Sequence, residues 1–192
     1  GPRLAAGRGA LTALDRMLYV ETIANPHRRV RALRALAEVA QLAGVGLVVD
    51  STFAARVICR PLEHGADLVV HSATKFFGGH ADATGGVATG RPEHLGPVRE
   101  ARTHPGGCPA PGGAFLVPRG LGALPLRVAP QTAAPAVLAP KRARHPRAGR
   151  GRPPPIGPVI APNLIFGSYA SGRCGPTFTR MRVERRPSRE GI

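Results

Sequence analysis

Lysine is almost missing from this chain, whose basic charge comes from twenty-five arginines and only two lysines, Lys75 and Lys141. Where Arg fills nearly every generic basic position, a surviving Lys points to work that guanidinium cannot do: losing a proton and attacking as a nucleophile. Taken alone, a loop lysine is solvated charge, so its neighbours must decide between the two. Cysteine is also scarce. Cys59, Cys108 and Cys174 are odd in number and far apart, which excludes a disulfide framework or a zinc-finger spacing and fits a reducing cytosol. Tryptophan is absent and aromatics make up 4% of residues, leaving little for base stacking. With no helical basic stripe and no RNA- or DNA-binding motif, a specific nucleic-acid partner is not expected. The opening Gly1-Pro2-Arg3-Leu4 lacks the apolar core of a signal peptide and no run reaches transmembrane length, so a soluble, cytoplasmic protein without a membrane partner is expected. The first residue is Gly and the first Met is Met17, as in a processed, truncated or wrongly started chain.

What is present is unevenly distributed. The 192 residues are 43% hydrophobic, enough for one domain with a real core. Residues 17–103 are periodic, whereas Pro and Gly punctuate 104–163 often enough to forbid long elements. The formal charge of +16 is concentrated at one end: residues 141–192 hold 12 basic and 2 acidic residues. That segment, with Pro153-Pro154-Pro155, reads as a basic linker or disordered extension able to attract anions non-specifically.

Elements follow from the periodicity. Residues 17–21 predict a short strand, and Asn25-Pro26 a turn. Val30, Leu33, Ala37 and Ala40, flanked by Leu36 and Val39, predict a helix from Val30 to Ala43 with Gly44 as its stop. Gly46-Leu47-Val48-Val49-Asp50 and Asp67-Leu68-Val69-Val70-His71-Ser72 are apolar runs of strand length that end in polar residues. The second leads directly into Ala73-Thr74-Lys75. Such a pair implies an α/β sheet whose parallel strands present chemistry at one edge. Gly85–Thr89 predicts a further strand and Pro92–Arg102 a helix. A helix over 113–128 should be broken or kinked, because interior Pro at 118 or 125 costs about 3 kcal/mol.

The motifs Tyr19-Val20-Glu21-Thr22-Ile23-Ala24-Asn25-Pro26, Val48-Val49-Asp50-Ser51-Thr52-Phe53, Arg60-Pro61-Leu62-Glu63-His64-Gly65-Ala66-Asp67, His71-Ser72-Ala73-Thr74-Lys75-Phe76 and Gly78-Gly79-His80-Ala81-Asp82 resemble, in order and spacing, the trans-sulfuration (Cys/Met metabolism) family of pyridoxal-phosphate enzymes. The resemblance is clear over 17–90 and weaker over 91–147, where Leu124-Pro125-Leu126-Arg127 echoes it. It implies α/β architecture of the fold type I transferase class, with residues 1–147 forming part of a cofactor-binding large domain and 148–192 an irregular Pro/Arg-rich tail.

The same resemblance implies pyridoxal 5'-phosphate as cofactor, Lys75 as the Schiff-base lysine and Asp50 as partner of the pyridine nitrogen. Ser72 and Thr74 match phosphate-binding hydroxyls, Asn25 an amide near the phenolic oxygen, and Thr52 a residue packed on the ring. Glu21 belongs to the site motif, and His80 and Asp82 to the segment that shapes the lysine loop. No metal is expected, since His71, His80 and Asp82 have no recognised ligand spacing. By resemblance the reaction is γ-elimination or γ-replacement on a small sulfur amino acid such as cystathionine, methionine or an acylated homoserine, in a homo-oligomer. The chain departs from the pattern at Ser51, often Asn in the family, and at Ala55-Arg56, near which a Pro is usual. It shows no counterpart of the upstream Gly-rich phosphate loop and stacking Tyr, or of the downstream Arg that clamps the substrate carboxylate. The alternatives are an inactive, truncated remnant of the family and a basic nucleic-acid- or anion-binding protein.

Overall fold

The computed structural model describes residues 11–12, 14–24, 30–103, 106–143 and 179–182. Three apolar runs form the parallel centre of a five-stranded sheet: β1 (Asp15–Glu21), β2 (Gly46–Asp50) and β3 (Leu68–Ser72). β4 (Gly86–Gly90) lies antiparallel on the β3 edge and β5 (Thr179–Arg182) antiparallel on the β1 edge, giving the order β4-β3-β2-β1-β5. Asp67 fastens the start of β3 to β2. Its carboxylate accepts the Leu47 N–H at 2.8 Å, and its own N–H donates to the Leu47 carbonyl at 2.9 Å.

The pleat sorts the side chains. With Val20 opposite Val49 and Val49 opposite Val69, one face carries Leu18, Val20, Leu47, Val49 and Val69, all buried. Helix α1 (Leu33–Ala43) covers that face with Leu33, Leu36, Val39 and Ala40. Removal from water contributes about 1.5–3 kcal/mol for each large apolar side chain. The other face ends in Glu21, Asp50 and Ser72 at the carboxyl ends of β1, β2 and β3, because these residues fall on the opposite parity.

The helix expected from Val30 begins at Leu33. Val30 is instead held in an antiparallel bridge to Ile23, so its backbone is already committed to a strand-type partner. Gly44, at φ 65°, ends α1 in the left-handed conformation that glycine adopts without a Cβ clash, as its position suggested.

Between β2 and β3 run α2 (Ala55–Ile58) and a 3-10 turn at Pro61–His64. After β4 come α3 (Pro92–Arg102), α4 (Pro111–Gly122) and α5 (Leu124–Ala143). The expected break within 113–128 falls at Ala123, between α4 and α5. The expectation that Pro and Gly forbid long elements beyond 104 fails, since α5 runs for 20 residues. Pro125 stands in its first turn, where a missing N–H has no intrahelical acceptor to lose, and the buried Leu124 and Val128 anchor that turn. These two pack with Ala55, Ala73 and Phe77 in a second apolar cluster.

Most of the tail expected over 148–192 lies outside the described residues. Thr179–Arg182 within it is a strand, because the open edge of β1 offers unpaired backbone groups to an extended segment.

Candidate active site

Asp50 ends the central strand β2, and its carboxylate is held by three donors from two elements. The Tyr19 hydroxyl of β1 donates to Oδ2 at 3.0 Å. The Thr52 backbone N–H donates to Oδ1 at 2.9 Å, and the Thr52 hydroxyl donates to the same oxygen. Thr52 Oγ1 in turn accepts the Ser72 N–H at 2.8 Å, so one buried hydroxyl ties the end of β2 to the end of β3. Glu21 stands opposite Asp50 in the β1–β2 register. Four of the expected residues, Asp50, Thr52, Ser72 and Glu21, thus meet at one edge of the sheet.

Lys75 and Thr74 lie on the turn that leaves β3, Ala73–Phe77, whose hydrogen bonding is that of a π-helix. Lys75 interrupts this turn with φ −91° and ψ −120°, and its side chain is exposed. The turn is closed by Gly78 N–H donating to the Ala73 carbonyl at 2.7 Å and Gly79 N–H donating to the Lys75 carbonyl at 2.8 Å. His80 Nδ1 lies 3.1 Å from the Gly78 carbonyl oxygen, and Asp82 is paired with Arg119 at 3.1 Å. Both residues lie on the loop that follows the lysine. Asn25 lies outside the described residues.

On the opposite face, directly behind the Asp50–Ser72 edge, His71 stacks on Phe77 with ring centroids 4.4 Å apart and planes at 28°. Burial pushes the His71 imidazole below its usual range, while the Asp50 charge and the Ser51 backbone pull it upward. Burial, then the hydrogen bond to Asp50 and the charges of Asp50 and Glu21, push the Tyr19 phenol up to about 12. Tyr19 is therefore a neutral donor throughout the physiological range.

Tyr19 is the site residue that the sequence reading missed. The available signal was parity: Tyr19 and Glu21 are two apart on one strand, so a parallel pairing of β1 with β2 carries both to the Asp50 face.

The family model for "Cys/Met metabolism PLP-dependent enzyme" matches residues 5–150. The chain belongs to that family. It is 40% identical over 151 residues to an L-methionine gamma-lyase of Streptomyces avermitilis, covering 79% of this chain and 36% of that protein. It is 42% identical over 127 residues to a canavanine gamma-lyase of Rhizobium leguminosarum bv. trifolii, covering 66% and 32%. The crystal structure of cystathionine gamma-lyase from Lactobacillus plantarum complexed with L-serine superposes with a TM-score of 0.70 at 32% identity, over 74% of this chain and 38% of that one. The chain therefore spans about a third of the length of these family members. Among the described residues, no helix is long and apolar enough to cross a membrane.

Proposed function

We propose that this chain contributes the lysine-bearing part of a pyridoxal-phosphate-dependent enzyme that carries out γ-elimination or γ-replacement on a small sulfur amino acid. The observation that carries the reading is the Asp50 carboxylate, gripped by Tyr19 and Thr52 on the strand next to the one that delivers Ser72, Thr74 and Lys75.

The residues fit the cofactor chemically. Every side-chain bond of the Asp50 carboxylate is one it accepts, so it presents an acceptor, held in place, of the kind a pyridine N–H requires. Among the described residues, no hydrogen bond occupies the hydroxyls of Ser72 and Thr74, leaving both for a phosphate beside the turn's backbone N–H groups. Lys75 offers an exposed amine.

When bound, pyridoxal phosphate supplies an electron sink for a carbanion on the substrate. In this assignment Lys75 Nζ would hold the cofactor and would take and return a proton between substrate carbons. Asp50 would pair with the pyridine nitrogen, and Thr52 and Tyr19 keep its carboxylate from rotating away. Ser72 and Thr74 would hold the phosphate, and by family resemblance Glu21 and Asn25 would belong to the same site. The substrate class, a homo-oligomeric state and a cytoplasmic location belong to the same proposal. The last is in keeping with the free thiol of the exposed Cys108.

The test uses the scarcity of lysine. Incubation with pyridoxal phosphate, borohydride reduction and peptide mapping should place the label on Lys75, and Lys75→Ala should abolish it. Label on Lys141 with Lys75 unmodified overturns the assignment. Asp50→Asn should still accept the label but retain cofactor less well, through loss of a charge-assisted interaction of roughly 1.5–3 kcal/mol. Release of ammonia and α-keto acid from cystathionine, methionine or O-acetylhomoserine then tests the substrate class.

A further inference from the structure

The loop that follows Lys75 is roofed by a side chain to which neither the resemblance nor the Asp50 cluster assigns a role. Gly79, at φ 84°, donates its N–H to the Lys75 carbonyl at 2.8 Å. Its open face is occupied by the guanidinium of Arg127 from α5. A Cβ on Gly79 would collide with Nη1 and Cζ of that group. Arg127 is itself fixed from the other side, where Nη2 donates to the Gly120 carbonyl of α4 at 2.7 Å. Gly120 lies so close to the Phe77 and Gly78 carbonyl oxygens that a Cβ there has no room. A planar, fixed cation thus bridges the end of α4 and the residue that holds the lysine's own carbonyl.

We propose that Arg127 is a positioning residue for Lys75, acting through Gly79. This rests on the assignment of Lys75 as the cofactor-bearing lysine. The physical case is that Lys75 breaks the regularity of its turn, so its backbone angles are not dictated by a helix ladder and must be held by what surrounds them. The Gly79 N–H provides that hold, and Gly79 has the conformational freedom of glycine. It stays in place because Arg127 closes one side while Gly120 backs the preceding Phe77-Gly78 segment. Lysine would not serve at position 127, because a point-charge ammonium cannot cover the glycine face and reach the Gly120 carbonyl together as a planar fork does.

The experiment compares the parent chain with Arg127→Leu, Arg127→Lys and Gly79→Ala. It reads amide hydrogen exchange at Gly79 and at the core residue Val49, the acetylation rate of Lys75 relative to Lys141, and the rate of borohydride-stable attachment of pyridoxal phosphate. In all three variants the amide at position 79 should exchange about tenfold faster or more, the loss expected for one hydrogen bond, while Val49 exchange stays unchanged. The Lys75-to-Lys141 acetylation ratio should shift in the same variants, and attachment should slow about tenfold. Unchanged Gly79 exchange and an unchanged acetylation ratio in Arg127→Leu overturn the proposal. If Arg127→Leu speeds exchange at Val49 equally, Arg127→Lys decides, because it keeps both stem and charge: parent-like Gly79 exchange there also overturns it. Failure of the parent chain to attach pyridoxal phosphate sinks the cofactor assignment, whereas exchange and acetylation judge Arg127 independently of it.

Discussion

Replacing Thr52 by Val keeps the shape of the side chain and removes only its hydroxyl. That hydroxyl donates to Asp50 Oδ1 and accepts the Ser72 N–H at 2.8 Å, and Thr52 is 8% exposed, so water does not readily replace either bond. A hydrogen bond to a carboxylate is worth about 1.5–3 kcal/mol, and an unpaired backbone donor costs about 1–3 kcal/mol. Because Asp50 and Ser72 are only half-buried, part of each loss is recovered from solvent, and a net destabilisation of about 2–4 kcal/mol is expected. With a urea dependence of about 2 kcal/mol per molar, the unfolding midpoint should fall by roughly 1–2 M. The assay is urea unfolding followed by far-ultraviolet circular dichroism, with Thr52→Ser as the control that keeps the hydroxyl. Thr52→Ser should lose less than about 1 kcal/mol, the scale of one small packing change. A Val variant with the parent's midpoint, or a Ser variant that falls as far as Val, would refute the claim that this hydroxyl ties β2 to β3.

Tyr19→Phe should remove a tyrosinate absorbance step near pH 12. Because the folded value exceeds the unfolded value of 10, the parent should lose stability relative to the variant as pH rises from about 10 toward about 12. His71 is held below its ordinary value of 6.5, so its neutral form favours folding. The contribution is present above that pH and is lost as pH falls below it, and His71→Phe should flatten this acid limb in pH-dependent unfolding. Leu124→Ala, at a position 2% exposed beside Phe77 and Val128, should cost about 2–5 kcal/mol in chemical denaturation. A cost under 1 kcal/mol there would show that α5 does not seat on the lysine turn.

The parts of the fold legible in the sequence are those with a local cause. Leu47-Val48-Val49 reads as a strand because a short apolar run bounded by Gly and Asp has few other solutions, and α1 reads as a helix because Leu33, Leu36 and Ala40 recur on one face before Gly44. The start of α1 was misplaced by three residues because Val30 fits the helical period equally well, and only its bridge to Ile23, a pairing across a turn, decides against it. The expectation that Pro and Gly forbid long elements beyond 104 misses α5, which continues through Pro130.

The sequence by itself determined the chemistry of the edge: which residue types stand at the ends of β2 and β3, and that Lys75, one of only two lysines, follows them at motif spacing. Those features depend on residues adjacent along the chain. The tertiary structure decided how they are held. Tyr19 reaches Asp50 across 31 residues, Thr52 reaches Ser72 across 20, and Arg127 covers Gly79 from a helix 48 positions further on. Such contacts follow from strand register and helix docking, which bring distant segments together through the burial of a common core, and no local pattern of residues encodes them.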